Sequence, residues 1–296
     1  MSGLTQRDIS RFAAELGFSA AYCCAPLPRD GAPENVKTLA ILTRAYAPGG
    51  RLMDRFYPAS NAAYHAAEAL ARRITAECGV EAVHLPHVRM KPICRRHPAF
   101  GTGRNTLNYL PGVGSRFCMD LIGLAARIPP ADDPPYDGAL LPCGECRRCM
   151  QACPTGAITE TGFVREKCLR HHMTSGKPMP MDMRPLIDSE RGTRAILGCD
   201  ICQRVCPANA ESEKRRTQED EMTLSELLTC DGETMERFAA LYGKNYAIRN
   251  RILAQAILAA AKSGDTSYLP KIEALRGSAS AAVAEHAAWA AEILKK

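Results

Sequence analysis

The chain has 296 residues, of which 46% are hydrophobic and 24% charged, and its formal net charge is +6. This length favours two or three domains that each bury a core, and the ordinary composition argues against a disordered or fibrous protein. A positive balance of this size is by itself only a weak sign of nucleic-acid binding.

The start of the chain predicts an amphipathic helix. Residues 4–16 mix apolar side chains with Arg7, Asp8, Arg11 and Glu15. That mixture is wrong for the apolar segment of a secretory signal. The sequence also has no run of eighteen apolar residues, so we expect no membrane span and a cytoplasmic protein.

The next hundred residues predict a mixed α/β domain. The run TLAILT at 38–43 is typical of a buried strand, and residues 61–78 have the pattern of an amphipathic helix that ends at Gly79. Residues 80–88 suggest another strand, and residues 129–136 form the predicted linker to the rest of the chain.

Two places in this domain offer groups for a ligand. Glycines punctuate residues 101–114, beside the polar Asn105 and Ser115, and His65 follows Tyr64 on the predicted helix. Turn geometry explains such glycines equally well, and a histidine in that position is also compatible with an ordinary core or surface role. These residues alone do not decide whether the domain binds a ligand.

The middle of the chain carries the strongest chemical signal. Residues 143–158 are CGECRRCMQACPTGAI, the spacing CxxCxxCxxxCP in which three cysteines bind one 4Fe-4S cluster and the fourth reaches a second cluster. Two-residue gaps let successive thiolates surround one small cube. Pro154 is expected to end the loop and begin a helix after Cys153.

A second half-motif follows at residues 198–210, GCDICQRVCPANA, with one ligand fewer. Two clusters need eight thiolates, and Cys168 is the best remaining candidate, although Cys230 or Cys118 could complete the site instead. In such paired motifs, the last cysteine of each half binds the cluster of the other half. This exchange predicts the ligands of each cluster. Cluster one takes Cys143, Cys146, Cys149 and Cys206, and cluster two takes Cys153, Cys168, Cys199 and Cys202.

The fourteen cysteines also admit two other interpretations, disulfides and zinc sites. Disulfides are disfavoured because the spacing is that of metal ligands and no export signal accompanies it. A pair of zinc sites would also use CxxC repeats, but it has no need of two CxxxCP endings. The cysteines outside the pattern are expected to be packing residues, namely Cys23, Cys24, Cys78, Cys94, Cys118 and Cys230.

The remainder of the chain predicts helices after a charged connector at 211–221. Helical patterns occupy residues 234–242, 250–262, 268–275 and 281–294. The tripeptides at 254–256 and 288–290 recur about 34 residues apart, as in two-helix repeats. Basic side chains here could face phosphates or could simply be solvated. They are Lys244, Arg249, Arg251, Lys262, Lys271 and Arg276.

The order of these features resembles the epoxyqueuosine reductase family, corrinoid iron–sulfur enzymes related to reductive dehalogenases that complete queuosine in tRNA. The two cysteine motifs and the isolated KCL at Cys168 are similar to its double-cluster signature. AAYHAAEAL resembles its DYH helix, GTGRNTL its GxxGKNTL loop, and KNYAIRNRILAQAI and HAAWAAEIL its HEAT-type tail.

The resemblance implies an α+β multidomain protein. Residues 1–138 would form a mixed α/β cobalamin-binding-type domain, residues 139–212 a bacterial ferredoxin-like domain with two 4Fe-4S clusters, and residues 213–296 HEAT-like helical repeats. It also implies cobalamin as a cofactor beside the clusters. The implied cobalamin contacts are Tyr64, His65, Gly103, Arg104, Asn105 and Ser115.

Two departures from the family bear on the reaction. The family has an acid, proposed to protonate the epoxide oxygen, three residues before a proline, and here Arg89 stands at that position. A family glutamate falls on Arg95. Arginine stays protonated, so it can bind an anion but cannot act as an ordinary general acid. The chain is also shorter between Cys23 and Thr38 than the family pattern implies.

The leading hypothesis is a cobalamin-dependent reductase of the epoxyqueuosine reductase type, or a paralogue acting on another substrate. Its expected partners are a low-potential electron donor such as a flavodoxin or ferredoxin, and tRNA. The alternative is an iron–sulfur electron-transfer protein that serves a partner or a corrinoid carrier. A tRNA-binding module without chemistry is disfavoured, because binding alone does not call for two clusters.

Overall fold

The computed structural model describes residues 3–129, 143–187 and 196–296. The chain divides into two compact units. The first comprises Met1–Tyr46 and Pro58–Cys146, and the second comprises Ala47–Tyr57 and Arg147–Lys296. Residues 130–136 of the predicted linker lie outside the described residues, and the division into three domains stays a prediction.

The first unit is a mixed α/β unit, as the sequence predicts. Its described elements, with the first turn of α2 counted in the second unit, are α1 (Gln6–Glu15), β1 (Ala20–Cys24), β2 (Thr38–Ala45), α2 (Phe56–Cys78), β3 (Ala82–His84), α3 (Met90–Arg96), β4 (Gly101–Thr102), β5 (Asn108–Tyr109) and β6 (Phe117–Leu124).

Helix α1 begins at a capping box. The Thr5 side chain accepts a hydrogen bond from the backbone N–H of Asp8, and the Asp8 carboxylate accepts one from the backbone of Thr5. Ile9, Phe12 and Ala13 are buried at helical spacing. The predicted helix at 4–16 is confirmed with both ends slightly trimmed.

Four strands form an antiparallel sheet in the order β1-β2-β6-β3. Strand β2 pairs with β6 along its whole length, from Thr38 opposite Leu124 to Ala45 opposite Phe117. Its first six residues are buried, because this inner strand is covered on both faces. The strand predicted at 38–43 is therefore confirmed and extends two residues further.

Strand β6 is the inner strand that the sequence pattern did not reveal, because Asp120 and Gly123 interrupt its apolar run. Gly123 is required by close packing, since a Cβ atom there would lie 2.7 Å from Val36 and 3.0 Å from Leu85. The strand predicted at 80–88 is shorter than expected. It covers Ala82–His84 and gives way to a turn at Pro86, which has no N–H for a ladder.

The second unit is helical. Its described helices are α4 (Arg148–Ala152), α5 (Leu169–Met173), α6 (Ile201–Arg204), α7 (Ala210–Glu213), α8 (Leu224–Thr229), α9 (Gly232–Tyr242), α10 (Arg249–Ser263), α11 (Leu269–Ala274) and α12 (Ala281–Leu294). The four helices predicted after residue 230 are confirmed within about two residues at each end. One apolar core joins Leu169 and Met173 of α5 to the buried face of α10.

The charged connector predicted at 211–221 is part of the packed second unit. The Asp220 carboxylate accepts hydrogen bonds from the backbone N–H groups of Arg51, Leu52 and Met53, at 2.8, 2.9 and 3.1 Å. Gly50 makes this turn at φ +79°, where a Cβ atom would collide with the Met53 carbonyl oxygen. Among the described residues, no helix is both long and apolar enough to cross a membrane.

Candidate iron–sulfur and cofactor site

Six of the eight predicted cluster cysteines lie in the second unit. They occupy short helices and the turns around them, and all six are half-buried. They are Cys149, Cys153, Cys168, Cys199, Cys202 and Cys206. The helix expected after Pro154 does not form. A turn replaces it, closed by the Gly156 N–H on the Cys153 carbonyl oxygen at 3.2 Å, with Gly156 at φ +61°.

Electrostatic coupling shows which of these cysteines are neighbours. Burial, together with the nearby Cys168, Cys149 and Cys153, raises the pKa of Cys202 to about 12. Burial also raises the pKa of Cys199, and the nearby Cys202 and Cys168 raise it as well. Thiolates crowded in this way are stable only beside a cation, and cluster iron is one that deprotonates its thiol ligands.

Cys153 has a different environment. Burial by itself would raise its pKa, but hydrogen bonds from Thr155 and from the backbone of Ala157 and Ile158 outweigh burial, and the pKa is lowered. The Ala157 N–H donates to its sulfur at 3.4 Å. A turn that donates backbone N–H groups to a thiolate is well suited to a cluster ligand.

The alternatives to Cys168 lie elsewhere. Cys230 is buried in the apolar core of the second unit, with its sulfur 3.3 Å from the Met235 sulfur, and Cys118 is buried in strand β6. Cys168, by contrast, influences both Cys199 and Cys202. In the described ranges, no three Cys, His, Asp or Glu side chains converge on one ion. A 4Fe-4S cluster does not require such convergence, because its four thiolates bind four different iron atoms.

The other two predicted ligands, Cys143 and Cys146, end the first unit. There the predicted cofactor loop meets the cysteine segment. The backbone N–H of Arg104 donates to the Cys143 sulfur at 3.4 Å, and its guanidinium Nη2 donates to the Gly144 carbonyl oxygen at 3.0 Å. Within this unit, the loop therefore positions a predicted cluster ligand directly.

The loop itself is shaped around a glycine. A Cβ atom on Gly103 would lie 2.5 Å from the Tyr109 ring and 2.8 Å from Asn105 Oδ1. Asn105 Oδ1 accepts hydrogen bonds from the Leu107 N–H and the Tyr109 hydroxyl, both at 3.3 Å. Asn105 Nδ2 is buried and has no partner among the described residues. A buried donor without a partner is costly, which is typical of a site that a ligand completes. Ser115, also predicted, is buried.

The remaining predicted contacts, Tyr64 and His65, are exposed on helix α2, and their rings meet edge to face. The Tyr64 ring also meets the ring of His84, at 4.7 Å between centroids. His84 forms a buried hydrogen bond with Asp120 of β6. His84 and Asp120 were not predicted as site residues from the sequence. Their only signal was two polar side chains at or near apolar strands.

Arg89, the residue at the family's acid position, is the N-cap residue of α3 and is exposed. Arg95 lies exposed in the last turn of the same helix. Neither side chain makes a hydrogen bond or ion pair to a described residue. The two cations are therefore available to solvent and to anions.

The cysteine segment defines the class of protein. Residues 142–209 match the family model of the 4Fe-4S double cluster binding domain, which contains all eight predicted ligands. The molecule is thus an iron–sulfur protein whose chain also contains a mixed α/β unit. This much follows from the cysteine spacing and the fold together.

The resemblance to the epoxyqueuosine reductase family is confirmed. The chain is 30% identical to epoxyqueuosine reductase from Lactococcus garvieae over 178 residues, 57% of this chain and 48% of that protein. It is 35% identical to the Escherichia coli enzyme over 133 residues, 44% of this chain and 32% of that protein. The aligned parts thus span about half of these curated relatives or less.

Solved structures share the fold. An epoxyqueuosine reductase crystallised with an epoxyqueuosine-modified stem loop of tRNA-Tyr superposes with a TM-score of 0.78, at 19% identity over 98% of this chain and 90% of that one. The Streptococcus thermophilus enzyme gives a TM-score of 0.77 at the same identity and coverage. At such identity the likeness describes the fold alone.

Proposed function

We propose that this protein is an iron–sulfur reductase of the epoxyqueuosine reductase type, which uses a corrinoid and acts in queuosine synthesis in tRNA. One observation carries the proposal. Two CxxxCP cysteine motifs, with Cys168 between them in the sequence, occur in a chain with the fold of those enzymes. Cysteine sets of this kind serve electron transfer, and a reductase needs electrons at low potential.

Under this proposal, the clusters conduct electrons from an external donor. Cluster one would be held by Cys143, Cys146, Cys149 and Cys206, and cluster two by Cys153, Cys168, Cys199 and Cys202. A surface cavity of about 620 Å³ beside Cys206 carries the exposed Arg148 and Arg204 on its lining. Such cations suit an acidic flavodoxin or ferredoxin, because opposite charges speed encounter.

The residues of the first unit fit a corrinoid. Gly103 keeps the loop open, and the buried Asn105 Nδ2 offers a hydrogen-bond donor that no described residue uses. Arg104, Ser115, Tyr64 and His65 would complete the contacts. A corrinoid, when bound, supplies a cobalt centre that can be reduced to a strong nucleophile. The chain's own part is to bind and orient it and to keep it close to a cluster ligand.

The tRNA would contact the helices after residue 213, which we propose to be HEAT-like repeats. A related enzyme has been crystallised with a tRNA stem loop. Of the basic residues in this part of the chain, Arg249, Lys271 and Arg276 already donate to nearby oxygens. Lys244 and Lys262 are exposed and make no such bond to a described residue. These two lysines are the better candidates for phosphate contacts.

The test is anaerobic purification followed by assays of iron, labile sulfide and bound cobalamin, then a single turnover with epoxyqueuosine-containing tRNA and a strong reductant. Conversion to queuosine is the expected result. Two clusters and tight cobalamin binding without conversion would identify a paralogue that reduces another substrate.

A second candidate is an electron-transfer protein that serves a partner. The observation that favours it is the exposed Arg89, a permanent cation at the position where the family has an acid. Two clusters without any cobalamin binding would be the result that selects it, since a pure electron carrier has no use for cobalt.

A further inference from the structure

A histidine and an aspartate form a buried pair on one face of the sheet. His84 ends strand β3, and Asp120 lies in the neighbouring strand β6. His84 Nε2 is 2.7 Å from Asp120 Oδ1, and both side chains are 8% exposed. Because His84 pairs with Ile122, two residues from Asp120, the two side chains are diagonal neighbours on the same face.

The hydrogen bonds assign a role to each ring nitrogen of His84. An ionised carboxylate only accepts hydrogen bonds, so Nε2 must carry a hydrogen and donate it to Asp120. The same carboxylate oxygen also accepts the Leu121 backbone N–H at 2.8 Å. His84 Nδ1 makes no hydrogen bond to a described residue. One nitrogen is therefore fixed, while the other is available to exchange a proton.

The ring of His84 lies next to residues already assigned to the corrinoid. Tyr64, 42% exposed on helix α2, meets His84 edge to face at 4.7 Å, and its ring also meets that of His65. The titratable groups around His84 are thus Asp120 from β6, Tyr64 from α2, and His65 beyond Tyr64. An oriented imidazole at the border of an exposed aromatic face is suited to proton transfer to a ligand there.

From this arrangement we infer that His84 is the proton donor of the reduction and that Asp120 is its positioning residue. The inference rests on the proposed function. Asp120 fixes the ring orientation and stabilises the positive charge that the ring carries when both nitrogens hold a proton, as a buried carboxylate does for other catalytic histidines. The proton that moves is the one on Nδ1. This role does not require an acidic side chain at the position that Arg89 occupies.

The reduction of epoxyqueuosine to queuosine removes one oxygen atom, so it consumes two electrons and two protons and releases water. When a C–O bond of the epoxide breaks, the oxygen leaves with the bonding pair, and the Nδ1 proton of His84 passes to it to form a hydroxyl. The carbon receives the two electrons that the external low-potential donor supplies. These form the carbon–carbon double bond as the second C–O bond breaks, and the hydroxyl leaves with a second proton, taken from solvent, as water. The neutral His84 then takes a proton from solvent, and Asp120 keeps its hydrogen bond to Nε2 throughout.

The decisive variant is His84→Gln. Glutamine can still donate a hydrogen bond to Asp120, but it cannot deliver a proton. We expect the single-turnover rate with epoxyqueuosine-containing tRNA to fall by about a hundred- to ten-thousand-fold, with iron content, cobalamin affinity and melting temperature unchanged. The matched control is His87→Gln, the same change at an exposed histidine of the following turn, which should leave the rate unchanged.

Three readouts separate proton donation from a structural role. The pH profile of turnover should differ between wild type and His84→Gln, because the variant lacks the proton donor. Asp120→Asn should lower the rate by about tenfold or more, because the charge that stabilises the protonated ring is lost. Added imidazole should restore turnover in His84→Ala, which also decides the matter if His84→Gln folds poorly.

The contrary outcomes are distinct. Wild-type turnover that persists within about twofold in His84→Gln, or a His84→Ala protein with clusters and cobalamin that imidazole does not rescue, overturns the inference and leaves the proposed function standing. A wild-type protein that holds both cofactors but converts no epoxyqueuosine overturns the proposed function, and the inference falls with it.

Discussion

His286 of helix α12 accepts a hydrogen bond from the backbone N–H of Met179 on Nε2, at 2.9 Å. An N–H group can only donate, so this ring nitrogen is unprotonated. The other nitrogen, Nδ1, lies 2.8 Å from the Ala254 carbonyl oxygen and donates to it. The ring is fully buried and neutral, and it ties the loop around Met179 to two helices of the same unit.

This arrangement makes the second unit sensitive to acid. Burial lowers the pKa of His286 from 6.5 to about 4, against the opposing effect of its bond to Ala254. As the pH falls, the unfolded chain therefore takes up a proton before the folded chain does. The free energy of unfolding that is present above pH 6.5 decreases as the pH falls towards 4. The loss can reach about 3 kcal/mol.

We expect the wild-type melting temperature to fall more steeply between pH 7 and pH 5 than that of His286→Gln. His87→Gln, at an exposed site, should retain the wild-type slope. Circular dichroism at several pH values would measure both. Equal slopes in wild type and His286→Gln would contradict the assignment of the neutral ring.

The cysteine assignment predicts metal content. Anaerobic reconstitution should give roughly eight iron and eight sulfide per chain, and Cys168→Ala should lose about half of the iron, because one cluster lacks a ligand. Cys78→Ala removes a half-buried cysteine outside the pattern and should keep all of it. Full iron in Cys168→Ala would remove Cys168 from the ligands, and four iron in wild type would exclude two clusters.

Cobalamin binding should depend on the unpartnered amide of Asn105. Asn105→Asp keeps an acceptor for Leu107 and Tyr109 but replaces the Nδ2 donor with an oxygen. We expect cobalamin affinity to drop about tenfold or more, since a lost hydrogen bond at a buried site costs about 1 to 3 kcal/mol. Titration followed by absorbance would measure it, with iron content constant.

The control for this change is Asn245→Asp, the same substitution at an exposed position of the second unit. It should bind cobalamin as wild type does. A second variant, Gly103→Ala, should also weaken binding, because its methyl group would displace the Tyr109 ring. Unaltered affinity in both loop variants would place the corrinoid, if bound, away from this loop.

Arg89 is expected to contribute charge and not a proton. Arg89→Asp should therefore bring no gain in single-turnover rate, and Arg89→Lys should behave as wild type, since both cations attract anions. The matched control is Arg95→Asp, the same substitution at an exposed arginine in the last turn of the same helix. A large gain in Arg89→Asp would show that an acid belongs at this position and that the native substrate differs from epoxyqueuosine.

Local sequence determined the chemistry of the second unit and much of its helical structure. Cysteine spacing such as that at 143–153 is a short-range property, because neighbouring thiolates must surround one cube, so the cluster prediction needed no fold. Periodicity likewise located α12, whose buried residues recur with the turn of a helix, whereas α10 is buried on every side from Ile252 to Ala261. The capping box of Thr5 and Asp8 that begins α1 is also a local feature, but it was not predicted.

Only the tertiary structure decided which polar residues are partners. Strand β6 escaped prediction because Asp120 and Gly123 break its apolar pattern, and both are accounted for by residues far along the chain, His84 and Val36. His286 meets Met179 across 107 positions. Periodicity reports which face of an element is buried, whereas the identity of a partner depends on strand register and helix packing, which are set by long-range contacts that no local window contains.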